Sequence, residues 1–433
     1  MNQVYLMEPT KAEPTKGRAF KSRAAYRFFT FLMVMGPGLI VMEADNDAGA
    51  VSTYVQAGAQ YGTRLLWVLL LLLPITYFTQ EMVVRLGIAT GKGHAAMIYE
   101  RFGKWWGHFS LADLQVVNFL TLVTEFAAIA LALGKLGIPP QAGVPVCAAA
   151  LIALVLSGSY LRWERIVIFL CLLDLVWLAL AFTSHAPAQE ILHDTLIPGV
   201  PAGGLTSELM FLVIGIVGTT IAPWQLFFQQ SCVADKRLRF ADLKWARLDT
   251  LLGACFTIVI AGCMMLSGDV ARRHGIAFSD PAQMAVDLVH VIGPFGRNAI
   301  LLLMVNAAAL GTTAISLSSA WAYGEAKGVA HTLGLRFRDA KGFYGVYAGC
   351  VALAAAVVLI PKAPLQLIIV SVQVLAGLML PAAIIFLQLL LNDREALGPQ
   401  FVNRRWNNGV NWTIICVLFL LSLILAAQVL LGL

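Results

Sequence analysis

The sequence predicts an all-α polytopic membrane protein with eleven transmembrane helices, and three observations carry that prediction. The 433-residue chain is 59% hydrophobic and only 12% charged, a balance that leaves too little polar surface for a soluble protein. Apolar runs of about 20 residues, enough to cross roughly 30 Å of hydrocarbon as a helix, fill nearly all of it. Its basic residues concentrate in alternate connecting segments, as the positive-inside rule requires of a multi-spanning chain.

Residues 1–27 are polar and basic and lack the short apolar core and small-residue cleavage site of a secretory signal, so they read as a cytoplasmic tail and residues 28–433 as one transmembrane domain. The expected spans are 29–58, 64–88, 110–134, 138–157, 163–183, 207–233, 246–267, 296–325, 343–361, 365–391 and 409–431. With the N-terminus inside, the inside segments hold Lys11 to Arg27, Arg85 to Lys104, Arg162 and Arg165, Lys236 to Arg247, Lys327 to Lys341 and Arg394 to Arg405, which is 24 of the 30 Lys and Arg. Arg64, Lys135, Arg272, Arg273, Arg297 and Lys362 remain outside, and the odd number of spans leaves Leu433 outside as well. The net charge of +6 is thus spread over short loops beside anionic headgroups, and it implies no nucleic-acid partner.

Stretches 184–206 and 268–295 are too short for a soluble domain. The seven cysteines form no C-x-x-C pair and read as small apolar residues. No phosphate-binding loop, metalloprotease His pair or nucleophile elbow is present, so an enzyme is excluded. The Asp45-x-Asp47-x-Gly49 string lacks the twelfth-position Glu of a Ca²⁺ loop.

Two spans are interrupted alike, the first by Asp45-Asn46-Asp47-Ala48-Gly49 and the sixth by Ala222-Pro223-Trp224-Gln225. Matched broken helices in two halves are the sequence mark of an inverted-repeat transporter with a site at the midplane. Spans 1–5 (about 28–183) and 6–10 (about 207–391) would be the repeats, with span 11 added. An ionised Asp47 in mid-membrane costs several kcal/mol unless something compensates it, and a cation does so economically. Gly49 is expected to unwind the backbone beside it. Pro223 is expected to free the carbonyls of Thr219 to Ala222. Glu43 and Asp47 stand four residues apart, on one face if the helix continues between them.

The strings Gly36-Pro37-Gly38, Asp47-Ala48-Gly49, Arg85-Leu86-Gly87 through Thr90-Gly91-Lys92, and Ala222-Pro223-Trp224-Gln225-Leu226-Phe227 resemble the natural-resistance-associated macrophage protein (NRAMP) family of divalent-metal transporters. The resemblance runs from about residue 30 to 390 and implies a leucine-transporter-type fold, alternating access and a metal held between helices 1 and 6. Where Mn²⁺ and Fe²⁺ carriers of that family read Asp-Pro-Gly-Asn, this chain reads Asp47-Ala48-Gly49-Ala50, and where they read Met-Pro-His it reads Ala222-Pro223-Trp224. A missing thioether disfavours soft transition metals, and a wider cavity suits Mg²⁺ with several waters retained. In this respect the chain is similar to the NRAMP-related magnesium transporter branch.

The resulting expectation is a plasma-membrane, monomeric secondary transporter that imports Mg²⁺, and Mn²⁺ as well, as a partly hydrated ion. Its metal set is Asp47, Ala44, Ala222, Thr219, Gln373, Glu43 and Asp45. Proton coupling is expected to be absent, since the family's helix-6 histidines fall on Trp224 and Gln229 and its helix-3 acids on Ala132 and Lys135, leaving Glu125; Asp174 reads as structural. The alternatives are a proton-coupled Mn²⁺ or Fe²⁺ carrier of the same family, or a sodium-coupled amino-acid carrier on the same fold.

Overall fold

The computed structural model describes residues 31, 34–201, 203–360 and 363–431; the expected tail 1–27, the start of the first span, Lys362 and Leu433 lie outside them. The first span consists of two helices, α1 (Pro37–Glu43) and α2 (Ala48–Tyr61), followed by α3 (Leu66–Thr90), α4 (His94–Lys135) and α5 (Pro140–Leu156). The fifth is formed by α6 (Tyr160–Leu173) and α7 (Val176–Ala181), after which α8 (Ala188–Leu196) lies in a connecting loop. The sixth is again double, α9 (Ser207–Thr220) and α10 (Pro223–Asp235). The rest are α11 (Leu243–Arg273), a short α12 (Pro281–Asp287), α13 (Val289–Lys327), α14 (Lys341–Val358), α15 (Leu365–Leu390), a short α16 (Arg394–Leu397) and α17 (Arg405–Leu431).

Among the described residues eight helical segments are long and apolar enough to cross a membrane. The divided first span, the shorter α5 and the final α17 bring the bundle to the eleven expected. The ends shift by a few residues for identifiable reasons. The third span is the membrane part of the longer α4, whose first turns are set apart at Gly103 (φ 85°), and the eighth begins inside α13 after Gly293 (φ 71°); only glycine enters that region without strain.

Both discontinuities are present, and each has a local cause. α1 ends at Glu43, and the chain passes through residues 44–46 before Asp47, extended at φ −67° and ψ −175°, caps α2 by accepting the Ala50 N–H at 2.9 Å. In the sixth span Pro223 does not interrupt a helix as expected. It occupies the first turn of α10, where its missing N–H is no loss, and the break falls on Ile221 and Ala222.

The broken first span is splinted by α11. A Cβ on Gly58 would stand 1.8 Å from the Met265 carbonyl oxygen, and one on Gly268 would stand 2.0 Å from that of Val55. Small residues on both helices are therefore what lets their backbones touch, the usual basis of helix association in lipid. On the other half-helix, Asp249 of α11 accepts the N–H groups of Gly36 (3.3 Å), Gly38 (2.7 Å) and Leu39 (3.2 Å) and so caps α1 from outside its own sequence. Asp249→Ala is expected to remove about 3 kcal/mol of stability, since hydrogen bonds to a charged group contribute about 1.5–3 kcal/mol and their orphaned donors stay buried. Denaturant unfolding in detergent measures this; a change under about 1 kcal/mol would show that α1 is held by packing alone.

Candidate metal site at the two helix breaks

Four elements meet at the breaks: the start of α2, the end of α9, α15 and the middle of α13, with α4 behind. Asp47 is buried, and beyond its cap to Ala50 its carboxyl lies against that of Glu125 on α4. Glu125 accepts the Ala48 N–H at 3.1 Å through Oε2, while its Oε1 is buried without a protein partner among the described residues. Gly311 of α13 makes this pairing possible. A Cβ there would stand 2.8 Å from both the Asp47 Cβ and the Glu125 Cδ.

Gln373 of α15 reaches the same region from the other side. A Cβ on Gly49 would fall 1.6 Å from its Nε2, and one on Gly218 would fall 2.0 Å from its backbone carbonyl oxygen. Gly49 therefore does not unwind the chain, because it is helical within α2. Its part is to leave room for the Gln373 side chain, while Gly218 of α9 lets the backbone of α15 at Gln373 approach from the other broken helix. The Gln373 Nε2 and the Thr219 Oγ1 are both buried and unpartnered among the described residues. Rotating the amide exchanges its ends, so this position can present an oxygen. The Tyr54 hydroxyl and Thr220 Oγ1, 2.7 Å apart, tie α2 to α9 beside it.

The expected residues are thus only partly brought together. Since α1 stops at Glu43, the helix does not continue to Asp47 and the three acids turn in different directions. Glu43 accepts from Asn46 Nδ2 at 3.3 Å and meets Asp174, which itself accepts from Asn306 at 3.0 Å. Asp45 accepts from Gln225, whose oxygen is bonded by Gln80 at 2.8 Å. No three Asp, Glu, His or Cys side chains among the described residues close on one point. Ala44 is the C-cap of α1 and Ala222 the N-cap of α10, so each offers only a backbone carbonyl at a helix end, and that of Ala222 already accepts the Gln225 N–H at 3.2 Å.

Sequence reasoning missed Gly311, Gln225 and Asp249. Gly311 had a signal in the small-residue run Ala307-Ala308-Ala309-Leu310-Gly311-Thr312-Thr313, which marks a close approach. Gln225 had none beyond its place next to the break. Gly49→Ala is expected to expel Gln373 and cut metal uptake at least roughly tenfold, the cost of a misplaced site group, while the protein still inserts. Uptake by that variant within about twofold of the parent would show that Gln373 need not stand there.

The model of natural resistance-associated macrophage protein-like chains matches residues 38–428. A divalent metal cation transporter of Pseudomonas aeruginosa, MntH 1, is 28% identical over 412 residues, 88% of either chain. The divalent metal cation transporter MntH of Staphylococcus aureus is 25% identical over 92% of this chain and 91% of its own. Among solved structures, an Eremococcus coleocola manganese transporter in complex with an aromatic bis-isothiourea substituted compound aligns with a TM-score of 0.77 at 19% identity, covering 96% of this chain and 90% of that one. A Na⁺-coupled sialic acid symporter in its outward-open state aligns at 0.59 and 12% identity over 94% and 96%. These likenesses show the fold: an all-α, leucine-transporter-type bundle with inverted repeats.

They also correct the expected cargo. The matched metal transporters are named for manganese or for divalent metal cations at large; none singles out a magnesium branch or transport without protons. The magnesium reading rested on the sulfur absent at Ala222, and that inference was too narrow: carboxylate, carbonyl and water ligands suit Mn²⁺ as well as Mg²⁺. The proton-free reading counted lost relay residues and overlooked that Glu125, the one retained, touches Asp47.

Proposed function

The chain belongs to the natural resistance-associated macrophage protein family, and from that premise we propose that it is a secondary transporter whose cargo is Mn²⁺, bound at the helix breaks by Asp47 and carried inward together with protons. The observation that carries this reading is a charge imbalance. Glu43, Asp45, Asp47, Glu125 and Asp174 are all buried, and among the described residues no Lys, Arg or His is ion-paired to any of them. Buried carboxylates without basic partners call for a cation or protons.

Asp45 and Asp47 both stand in the open backbone of the first helix break, the arrangement that coordinates cations in discontinuous-helix carriers, and Asp47 is the one of the two that is not bonded by the Gln225 amide. The Ala44 and Ala222 carbonyls, Thr219 Oγ1 and the Gln373 amide are the neutral oxygen donors around it. Glu43 and Asp45, turned away toward Asp174 and Gln225, contribute negative potential and no direct ligand in this arrangement. The repeat boundaries and the inside location of the basic loops belong to the same proposal. The relatives' names support the metal class, and the buried acids make a carboxylate-bearing substrate a poor fit.

The experiment is uptake of Mn²⁺ by the purified full-length chain in liposomes under an imposed inside-negative potential, with and without sodium. Saturable, sodium-independent Mn²⁺ entry is the expected result. Liposomes that take up no Mn²⁺ above protein-free controls would overturn the reading.

A further inference from the structure

At one end of the bundle, α3, α11, the start of α17 and the segment before it enclose two adjoining cavities away from the helix breaks. The first, about 480 Å³, is lined by Glu81, Arg85, Arg247, Phe401, Arg404 and Trp406 among others. The second, about 630 Å³, shares Tyr77, Phe240, Leu243 and Arg247 with it and continues past Lys244 to Leu248 and Leu251. Together they form one groove with a basic end and an apolar end.

The basic end carries more charge than its own partners neutralise. Glu81 is its single lining acid, and Arg247 donates to it at 2.9 and 2.6 Å while Arg85 donates at 3.3 Å. Arg85, with 7% of its side chain exposed, also donates to the Phe401 carbonyl and Asn403 Oδ1, both at 2.7 Å, yet its Nε is buried and unpartnered among the described residues. Arg404 is exposed and has no side-chain partner among the described residues. Three guanidinium groups thus face one carboxylate. The other end is the reverse: Leu251 of α11 is 40% exposed and Phe240 is 64% exposed.

We propose that this groove binds an anionic glycerophospholipid, with its phosphate held by Arg404 and Arg247 in front of Arg85 and an acyl chain laid along Leu248 and Leu251. Planar guanidinium groups match phosphate oxygens, and basic pockets between transmembrane helices select anionic headgroups. A free phosphate would use only half of the groove, since nothing in it would cover the exposed Leu251. Trp406, which lines the basic end beside Arg404, is the kind of amphipathic ring that bridges headgroup and hydrocarbon.

The test uses the full-length chain purified in mild detergent, with retained lipid measured by native mass spectrometry and thermal unfolding followed with added phosphatidylglycerol, phosphatidylcholine or inorganic phosphate. Phosphatidylglycerol is expected to be retained and to raise the melting temperature, and the other two are not. Arg404→Gln is expected to weaken retention roughly fivefold, the effect of one interfacial basic residue. Leu251→Glu, on the exposed face of the apolar end, is expected to weaken it independently, and unfolding of each variant without lipid checks that both are intact. The proposal is overturned if both variants retain phosphatidylglycerol like the parent, if phosphatidylcholine binds equally, or if inorganic phosphate alone gives the full stabilisation.

Discussion

Asp47→Ala is expected to abolish Mn²⁺ uptake while leaving a folded, membrane-inserted protein. The alanine removes the carboxylate at the first helix break that no side-chain amide occupies, since Asp45 in the same break accepts from Gln225. Truncating one member of a buried charged contact costs about 2–5 kcal/mol, which corresponds to roughly 30- to 5,000-fold in affinity. The mutation also removes the cap to Ala50, worth about 1 kcal/mol, a loss a bundle of this size tolerates. Asp47→Asn separates the two effects, because asparagine caps as well as aspartate yet carries no charge. Both variants should fail in transport, and only the alanine should melt earlier. Uptake by Asp47→Asn within about threefold of the parent would remove Asp47 from the site.

The parts of this architecture legible in the sequence are those written in single residues with a high local cost. An acid in an apolar run and a proline in its counterpart each mark a place where a membrane helix ends or begins, so the two discontinuities were visible within a few residues. The direction in which each side chain leaves the break was not. Glu43 and Asp47 would share a face only on a continuous helix, and the chain leaves the helical path at Ala44, which sends Glu43 to Asp174 and Asp47 to Glu125. Gly49 shows the same limit: its space is defined by Gln373, more than three hundred residues away. The cargo was misread because an absent ligand excludes soft coordination without choosing among hard ions.

The contact between Asp47 and Glu125 leads to the second large effect, in Glu125→Gln. Two buried carboxyls side by side hold either a shared proton or a shared cation, since two bare charges at that distance in a low-dielectric site repel strongly. Arrival of Mn²⁺ at Asp47 therefore releases the proton that the pair held, which leaves toward the inside with the metal, and Ala48 N–H keeps Glu125 in place throughout. Glutamine preserves the shape and still accepts the Ala48 N–H through its oxygen, yet it neither takes nor gives a proton. In liposomes loaded with a pH-sensitive dye, the parent should acidify the lumen as Mn²⁺ enters. The driving force is ample, because a potential of 100 mV is worth about 2.3 kcal/mol per charge. Glu125→Gln should keep Mn²⁺ entry within roughly tenfold, the lower range for losing one buried polar contact, while acidification per Mn²⁺ falls close to zero. Asp174→Asn, whose partners are Glu43 and Asn306, should leave that ratio unchanged. If Glu125→Gln still acidifies the lumen in step with the metal and Asp174→Asn does not, the proton-carrying pair is Glu43 with Asp174, and Glu125 only positions the start of α2.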